Sequence, residues 1–202
     1  MNKEELIDNY KLKKLEIEAR LQEFKKVPEK EYFYELVFCL LTPQSQAKKC
    51  WQAVEELRDN KINDKFAIQS CLATKTRFHN NKAKYILEAK KNWEIIKEKI
   101  TSIKNPLELR NWLTDNVLGL GLKESSHFLR NIGKSDNKIA ILDRHILKNL
   151  KSLKIIKTVL NLNKKNYLKI EDKFKSFSKK INIPIDSLDL LFWSQETGKI
   201  FK

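Results

Sequence analysis

The chain has 202 residues, of which 41% are hydrophobic and 33% charged, enough apolar content to bury a core as one domain or as two small ones sharing a seam. A formal net charge of +15 makes a polyanion the leading partner. The longest apolar stretch, around Leu36 to Leu41, is too short to span a bilayer, and no secretory leader follows Met1, so a cytoplasmic protein is expected. Cys39, Cys50 and Cys71 form no close pair, which excludes a cysteine-ligated cluster and argues against disulfides. Because the positive excess is almost entirely lysine, charge alone leaves a nucleic-acid partner and a generally lysine-rich composition both open.

The pattern is helical nearly throughout. Leu6, Tyr10, Ile17, Leu21 and Phe24 recur at helical spacing, and Phe33, Leu36, Val37, Leu40 and Leu41 predict a second helix that is apolar almost all round and therefore central. Thr42-Pro43 has the form of an N-cap followed by proline at the first helical position, predicting a third helix through Ala47, Trp51, Val54 and Leu57. Asn80-Asn81 reads as a cap before one long helix from Lys82 to about Ile100. Asn105-Pro106 repeats the cap-plus-proline signal and opens a helix that ends at Gly119 and Gly121. The next helix runs from about Leu122 to Ile132 and stops at Gly133. After a polar loop and the apolar run Ile139-Ala140-Ile141-Leu142, Asp143 caps a helix carrying Ile146, Leu147 and Leu150. Two more helical patterns lie near Tyr167 to Lys180 and near Ser187 to Gln195, with no convincing strand pair or repeat.

Two of the four glycines fall in Leu118-Gly119-Leu120-Gly121-Leu122, followed by Lys123, so this run between helices is a helix-hairpin-helix. Glycines let a backbone approach closely, and N–H groups at the start of the second helix can hold a phosphate without reading sequence. Gly-x-Gly alone is equally the form of an ordinary tight turn. Lys123 and Asp143 add chemistry. A lysine on a first helical turn faces the positive end of the helix dipole, which favours its neutral, nucleophilic form. An N-cap carboxylate accepts backbone N–H bonds and stays ionised. An amine that captures a sugar carbon and a carboxylate that stabilises positive charge on deoxyribose suit cleavage of an N-glycosidic bond, followed by elimination through a Schiff base.

The stretch Val117 to Asn131, followed by Ile141-Leu142-Asp143-Arg144-His145-Ile146, resembles the helix-hairpin-helix DNA glycosylase superfamily. Lys123 is similar to the Schiff-base nucleophile of its bifunctional members and Asp143 to the catalytic aspartate, while His145 would contact a phosphate or else be a half-buried helix residue. The loop before the aspartate, often rich in glycine and proline in that superfamily, here has Gly133 alone. No cysteine follows Cys71, so the iron–sulfur cluster of some branches is not expected. The C-terminal run Leu188 to Lys202, Leu41 to Ala47, and Arg77 to Ala83 are similar to the compact archaeal-type 8-oxoguanine DNA glycosylase/lyases, also found in some bacteria; the likeness covers about Tyr32 to Lys202.

That resemblance implies an all-α, two-lobed fold with the active site in the interlobe cleft. Residues 1–29 are expected to pack with a C-terminal lobe at 143–202, and 30–142 to form a central lobe containing the hairpin 118–123. It further implies that Trp193 stacks on a flipped base opposite Phe78, and that Lys202 helps recognise it. Gln44 would enter the duplex where that base was. Each has an ordinary alternative: core packing on Leu190 and Leu191 for Trp193, a frayed terminus for Lys202, surface solvation for Gln44. Gly119, Gly121, Arg77 and Lys82 are assigned to DNA contact. The expected protein is a monomeric enzyme that excises 8-oxoguanine from double-stranded DNA and needs no metal or organic cofactor. A lyase for oxidised pyrimidines and a non-catalytic helix-hairpin-helix DNA-binding module remain as competing readings.

Overall fold

The computed structural model describes residues 2–158 and 161–202, and among them eleven α-helices and one short 3-10 turn, Glu29–Glu31. By packing the chain divides into two units, Pro28–Phe128 and the discontinuous pair Met1–Val27 with Leu129–Lys202.

In the discontinuous unit, α1 (Lys3–Lys25) begins with a capping box in which Asn2 accepts from the Glu5 amide and the Glu5 carboxylate accepts from the Asn2 amide. One face of α1, Leu6, Tyr10, Ile17 and Phe24, is buried, and the helix packs on α11 (Ile185–Thr197). The α8 helix (Leu122–Asn131) carries the division between units. It ends before Gly133, whose φ of +69° is left-handed; a Cβ there would meet the Lys25 Cα at 2.5 Å, so two main chains touch directly. The apolar run Ile139 to Leu142 is buried and belongs to no helix, and α10 (Lys164–Ile181) satisfies part of its backbone: Ala140 N donates to Glu171 Oε1 (2.7 Å) and Tyr167 Oη donates to Ala140 O (2.6 Å). That strap leads straight into α9 (Arg144–Ser152).

In the continuous unit, α2 (Tyr32–Leu41) is buried from Glu35 to Leu41, the central position its all-round apolar pattern predicts. The helices α3 (Ala47–Asp59) and α5 (His79–Lys91) pack on it, α4 (Lys65–Ala73) packs on α3 and α5, and α6 (Trp93–Ser102) packs between α5 and α7 (Pro106–Asn116). The α4 helix, capped by Asp64 accepting from Ala67 N, has no counterpart in the expected elements.

Two expected helix starts are wrong. Thr42-Pro43 does not open α3: Thr42 N donates to Phe38 O and Thr42 Oγ1 to Cys39 O, so Thr42 closes α2. Pro43 has no N–H to continue that helix, and Gln44 turns left-handed (φ +54°) before α3 begins at Ala47, so Gln44 lies in a turn and not on a helix. Asn80 and Asn81 lie inside the first turn of α5, whose N-cap position is Phe78, also left-handed (φ +57°). The long helix expected from Lys82 to Ile100 is two helices. Asn92 divides it because its side-chain amide bonds Glu88 O (3.0 Å) and Glu88 Oε1 (2.9 Å), ending α5 locally. Asn105-Pro106 does open α7, with Asn105 Oδ1 accepting from Leu107 N at 2.9 Å.

Candidate active site

The hairpin is built by the end of α7, the turn Leu118 to Gly121 and the start of α8. Val117 leaves the helix in extended conformation, and Leu120 N donates back to Val117 O at 3.1 Å. Gly119 has φ +93°, and a Cβ on it would lie 2.5 Å from Tyr85 Cδ2 of α5. This glycine is therefore required twice, by its dihedral and by the ring beneath it. Gly121 is different: its φ is not left-handed, and a Cβ there would meet only the tip of Glu124 at 3.1 Å. Glu124, at the third position of α8, accepts from Gly121 N through Oε2 (3.3 Å), half of a capping box with glycine at the cap. Leu118 stands 47% exposed at the turn's tip.

Lys123 sits on the first turn of α8, half-buried, with Nζ 3.3 Å from Glu124 Oε1. Its charge reaches Cys50 and Lys82 in the same unit. Burial pushes the Cys50 and Cys71 thiols each up to about 11, so both stay protonated packing groups at neutral pH. His127, one turn further along α8, packs edge-on against Phe38 with ring centroids 5.6 Å apart.

Lys82 departs from its expected role. It is 3% exposed, and Nζ donates to Leu41 O (2.7 Å), Pro43 O (2.9 Å) and Ser45 Oγ (2.9 Å). An ammonium has three donors and all three are occupied inside the protein, so Lys82 is not a phosphate contact. Burial holds its pKa below the ordinary lysine value, and Lys123 and Arg77 lower it further against the opposing pull of Cys50. Ser45 Oγ also accepts from Arg77 N at 3.0 Å, tying the Gln44 turn to the Phe78 turn. Gln44 and Phe78 (53% exposed) project from those two turns, with the Arg77 guanidinium 5.4 Å from the Phe78 ring centroid.

The other unit positions Asp143. Its side chain accepts from His145 N and Ile146 N, both at 2.8 Å and both on Oδ1, so the cap occupies one carboxylate oxygen. Leu142 N, just before it, donates to Tyr167 Oη at 3.4 Å, which continues the α10 anchorage up to the cap. His145 is half-buried with Nδ1 3.7 Å from Glu196 Oε2. Lys148 bonds both oxygens of Glu196 (2.9 and 3.0 Å), and this contact, with His145 contributing less, holds the Glu196 carboxyl below the usual carboxylate range.

At the end of α11, Trp193 is half-buried and tilted against Phe201, ring centroids 6.2 Å apart. Arg20 Nε of α1 donates to Phe201 O at 2.7 Å, and Lys202 is only 8% exposed, so this segment is tied to α1. In the continuous unit Lys82 and Ser45 hold the Gln44 and Phe78 turns and Tyr85 and Glu124 brace the hairpin, while in the other unit Arg20 holds the Phe201 carbonyl, supporting roles outside the expected set. Of these only Glu124 carries a local signal, its three-residue spacing from the cap position.

A family model described as 8-oxoguanine DNA glycosylase matches residues 17–183. The 8-oxoguanine DNA glycosylase/AP lyase of Fusobacterium nucleatum is 42% identical across 96% of this chain and 94% of its own length. The enzyme of the same description from Methanocaldococcus jannaschii is 34% identical across 100% and 99%. Among solved structures, the Methanocaldococcus jannaschii 8-oxoguanine glycosylase/lyase in complex with a 15mer DNA containing 8-oxoguanine superposes with a TM-score of 0.88 at 33% identity, covering 98% of this chain and 99% of that one. The Thermotoga maritima 8-oxoguanine DNA glycosylase gives 0.88 at 29% identity, covering 98% and 97%.

Proposed function

The chain belongs to the 8-oxoguanine DNA glycosylase family, and from that membership we infer that it releases 8-oxoguanine from duplex DNA and cleaves the resulting abasic site as a lyase. The observation that carries the residue-level reading is the position of Lys123, a half-buried amine on the first turn of α8 immediately beyond the hairpin. The hairpin turn, with Gly119 and Gly121, holds the phosphate backbone without reading sequence. Gln44 fills the gap left in the duplex by the extruded nucleotide, while Phe78, Trp193 and Lys202 receive the oxidised base. Arg77 and His145 contact phosphates.

Positive charge develops on the deoxyribose as the C1′–N9 bond breaks, and Asp143 stabilises it through Oδ2, since Oδ1 is held by the cap. Lys123 Nζ forms a bond to C1′, the base departs with the bonding pair and takes up a proton, and opening of the sugar ring yields a protonated Schiff base. Loss of a C2′ proton then expels the 3′ phosphate. The enzyme acts as a cytoplasmic monomer on nucleoid DNA.

Borohydride trapping on a duplex with one 8-oxoguanine should give a covalent protein–DNA adduct that Lys123→Gln abolishes. An undiminished adduct in that variant would remove Lys123 from the mechanism. Asp143→Asn keeps a good helix cap, so it should slow base release by about 10²–10³-fold with DNA affinity nearly unchanged. A parallel loss of affinity would reduce Asp143 to a structural cap.

A further inference from the structure

Two exposed residues of the continuous unit, Gln44 and Phe78, both adopt left-handed backbone, at φ +54° and +57°. Neither is a residue type at ease there, and such conformations persist only where the surroundings over-determine them. Lys82 supplies that constraint. Its ammonium binds the residues on both sides of Gln44, at Pro43 O and Ser45 Oγ, and also the last carbonyl of α2, at Leu41 O. Ser45 Oγ passes the constraint on, because the same oxygen accepts the Arg77 amide directly before Phe78. One cation therefore fixes two turns that are more than thirty residues apart in sequence.

Burial of an ammonium is unfavourable unless every donor is matched, and here every donor is matched within the short stretch Leu41 to Ser45. A neutral residue could fill the same space without taking a charge out of water. A Lys in that place gives up stability, in return for fixing the geometry of the turn.

We propose that Lys82 is a positioning residue that sets Gln44 and the Arg77-Phe78 pair in their DNA-ready conformation before DNA arrives. The proposal rests on the reading of the protein as an 8-oxoguanine glycosylase/lyase in which these tips handle the extruded nucleotide. Preorganised tips avoid the ordering cost at the moment of binding, so this role of Lys82 falls on extrusion of the base, and Ser45→Ala, which leaves the ammonium in place, separates it from the charge interaction of Lys82 with Lys123.

Lys82→Met, which fills the space without the charge, and Ser45→Ala, which leaves Lys82 in place but cuts the link to Arg77, are compared with the unaltered enzyme in single-turnover assays. The substrates are a duplex with one 8-oxoguanine and the same duplex with a preformed abasic site, where no base must be extruded. A 2-aminopurine beside the lesion reports unstacking. Both variants should release 8-oxoguanine at least about tenfold more slowly and lose most of the unstacking signal, while strand cleavage at the abasic site stays within about threefold. Unchanged 8-oxoguanine release, or equal losses on the two substrates, would overturn the proposal. If Lys82→Met does not fold, Ser45→Ala decides by the same criteria. Failure of the unaltered enzyme to release 8-oxoguanine would instead overturn the functional reading on which the proposal rests.

Discussion

The ring of Tyr85 occupies the place where a side chain on Gly119 would have to go, with Cδ2 only 2.5 Å from a Cβ built there. The close approach that the hairpin glycine permits is thus first of all to the protein's own α5, which braces the turn from beneath. The two hairpin glycines are consequently not equivalent. Gly119→Ala should lower the melting temperature and weaken binding to any duplex, since left-handed strain alone is worth about 1–3 kcal/mol and the ring contact adds to it. Gly121→Ala meets only the movable tip of Glu124 and should cost far less. Thermal unfolding and fluorescence-anisotropy titration of both variants check this; equal losses would mean the Tyr85 contact is unimportant.

Trp193 is held against Phe201, and Phe201 is anchored through its carbonyl to Arg20, so the ring proposed to stack on the base sits on a fixed support. Base–aromatic stacking is worth about 1–3 kcal/mol, or about 5- to 150-fold in rate or affinity. Trp193→Ala should reduce release of 8-oxoguanine within that range while cleavage of a preformed abasic site is largely retained. A matched loss on both substrates would assign Trp193 to packing alone.

Asp186 gives a pH dependence with a definite sign. It is buried on the first turn of α11, accepts from Ser135 Oγ at 2.5 Å and lies near Arg130; burial nonetheless pushes its carboxyl above the ordinary value. Between the unfolded and folded pKa values, the folded protein holds a proton that the unfolded chain has released. Asp186 therefore favours folding most at low pH, and this contribution is lost as pH rises through the folded pKa. Urea unfolding at several pH values should show the stability of the unaltered protein declining relative to Asp186→Asn as pH climbs above the ordinary carboxylate range. Parallel curves would show that Asp186 titrates alike in both states.

Features fixed by neighbouring residues were legible in the sequence. Asn105 and Asp143 cap the helices they announce, because a cap needs only the next two or three amides. The apolar pattern of α2 likewise implied a central helix, since no face of it could remain in water. The misread positions are those whose partners are distant or whose local signal is shared by two outcomes. Thr42-Pro43 can open a helix or close one, and its hydroxyl bonds backwards to Cys39 O. Lys82, expected at a DNA phosphate, instead finds three acceptors 37 to 41 residues away in sequence, a pairing that no local pattern announces. The backbone of Ile139 to Leu142 gives no hint that a tyrosine and a glutamate from α10 satisfy it, and that strap is what delivers Asp143.

The direct main-chain contact of Gly133 with Lys25 has a bearing on the order in which the molecule is made. Residues 28–128 form a unit from one uninterrupted stretch, whereas α1, synthesised first, must wait for residues beyond 128 before its apolar face is covered. Contacts that close long loops form late, so α1 should remain solvent-labile while α2 and α5 are already protected. Pulse-labelled hydrogen exchange during refolding of the full chain would show this sequence of protection; simultaneous protection of α1 and α2 would argue for one cooperative step. Late protection of α1 would mean that its apolar face is the last to be covered, after the continuous unit has already closed on α2.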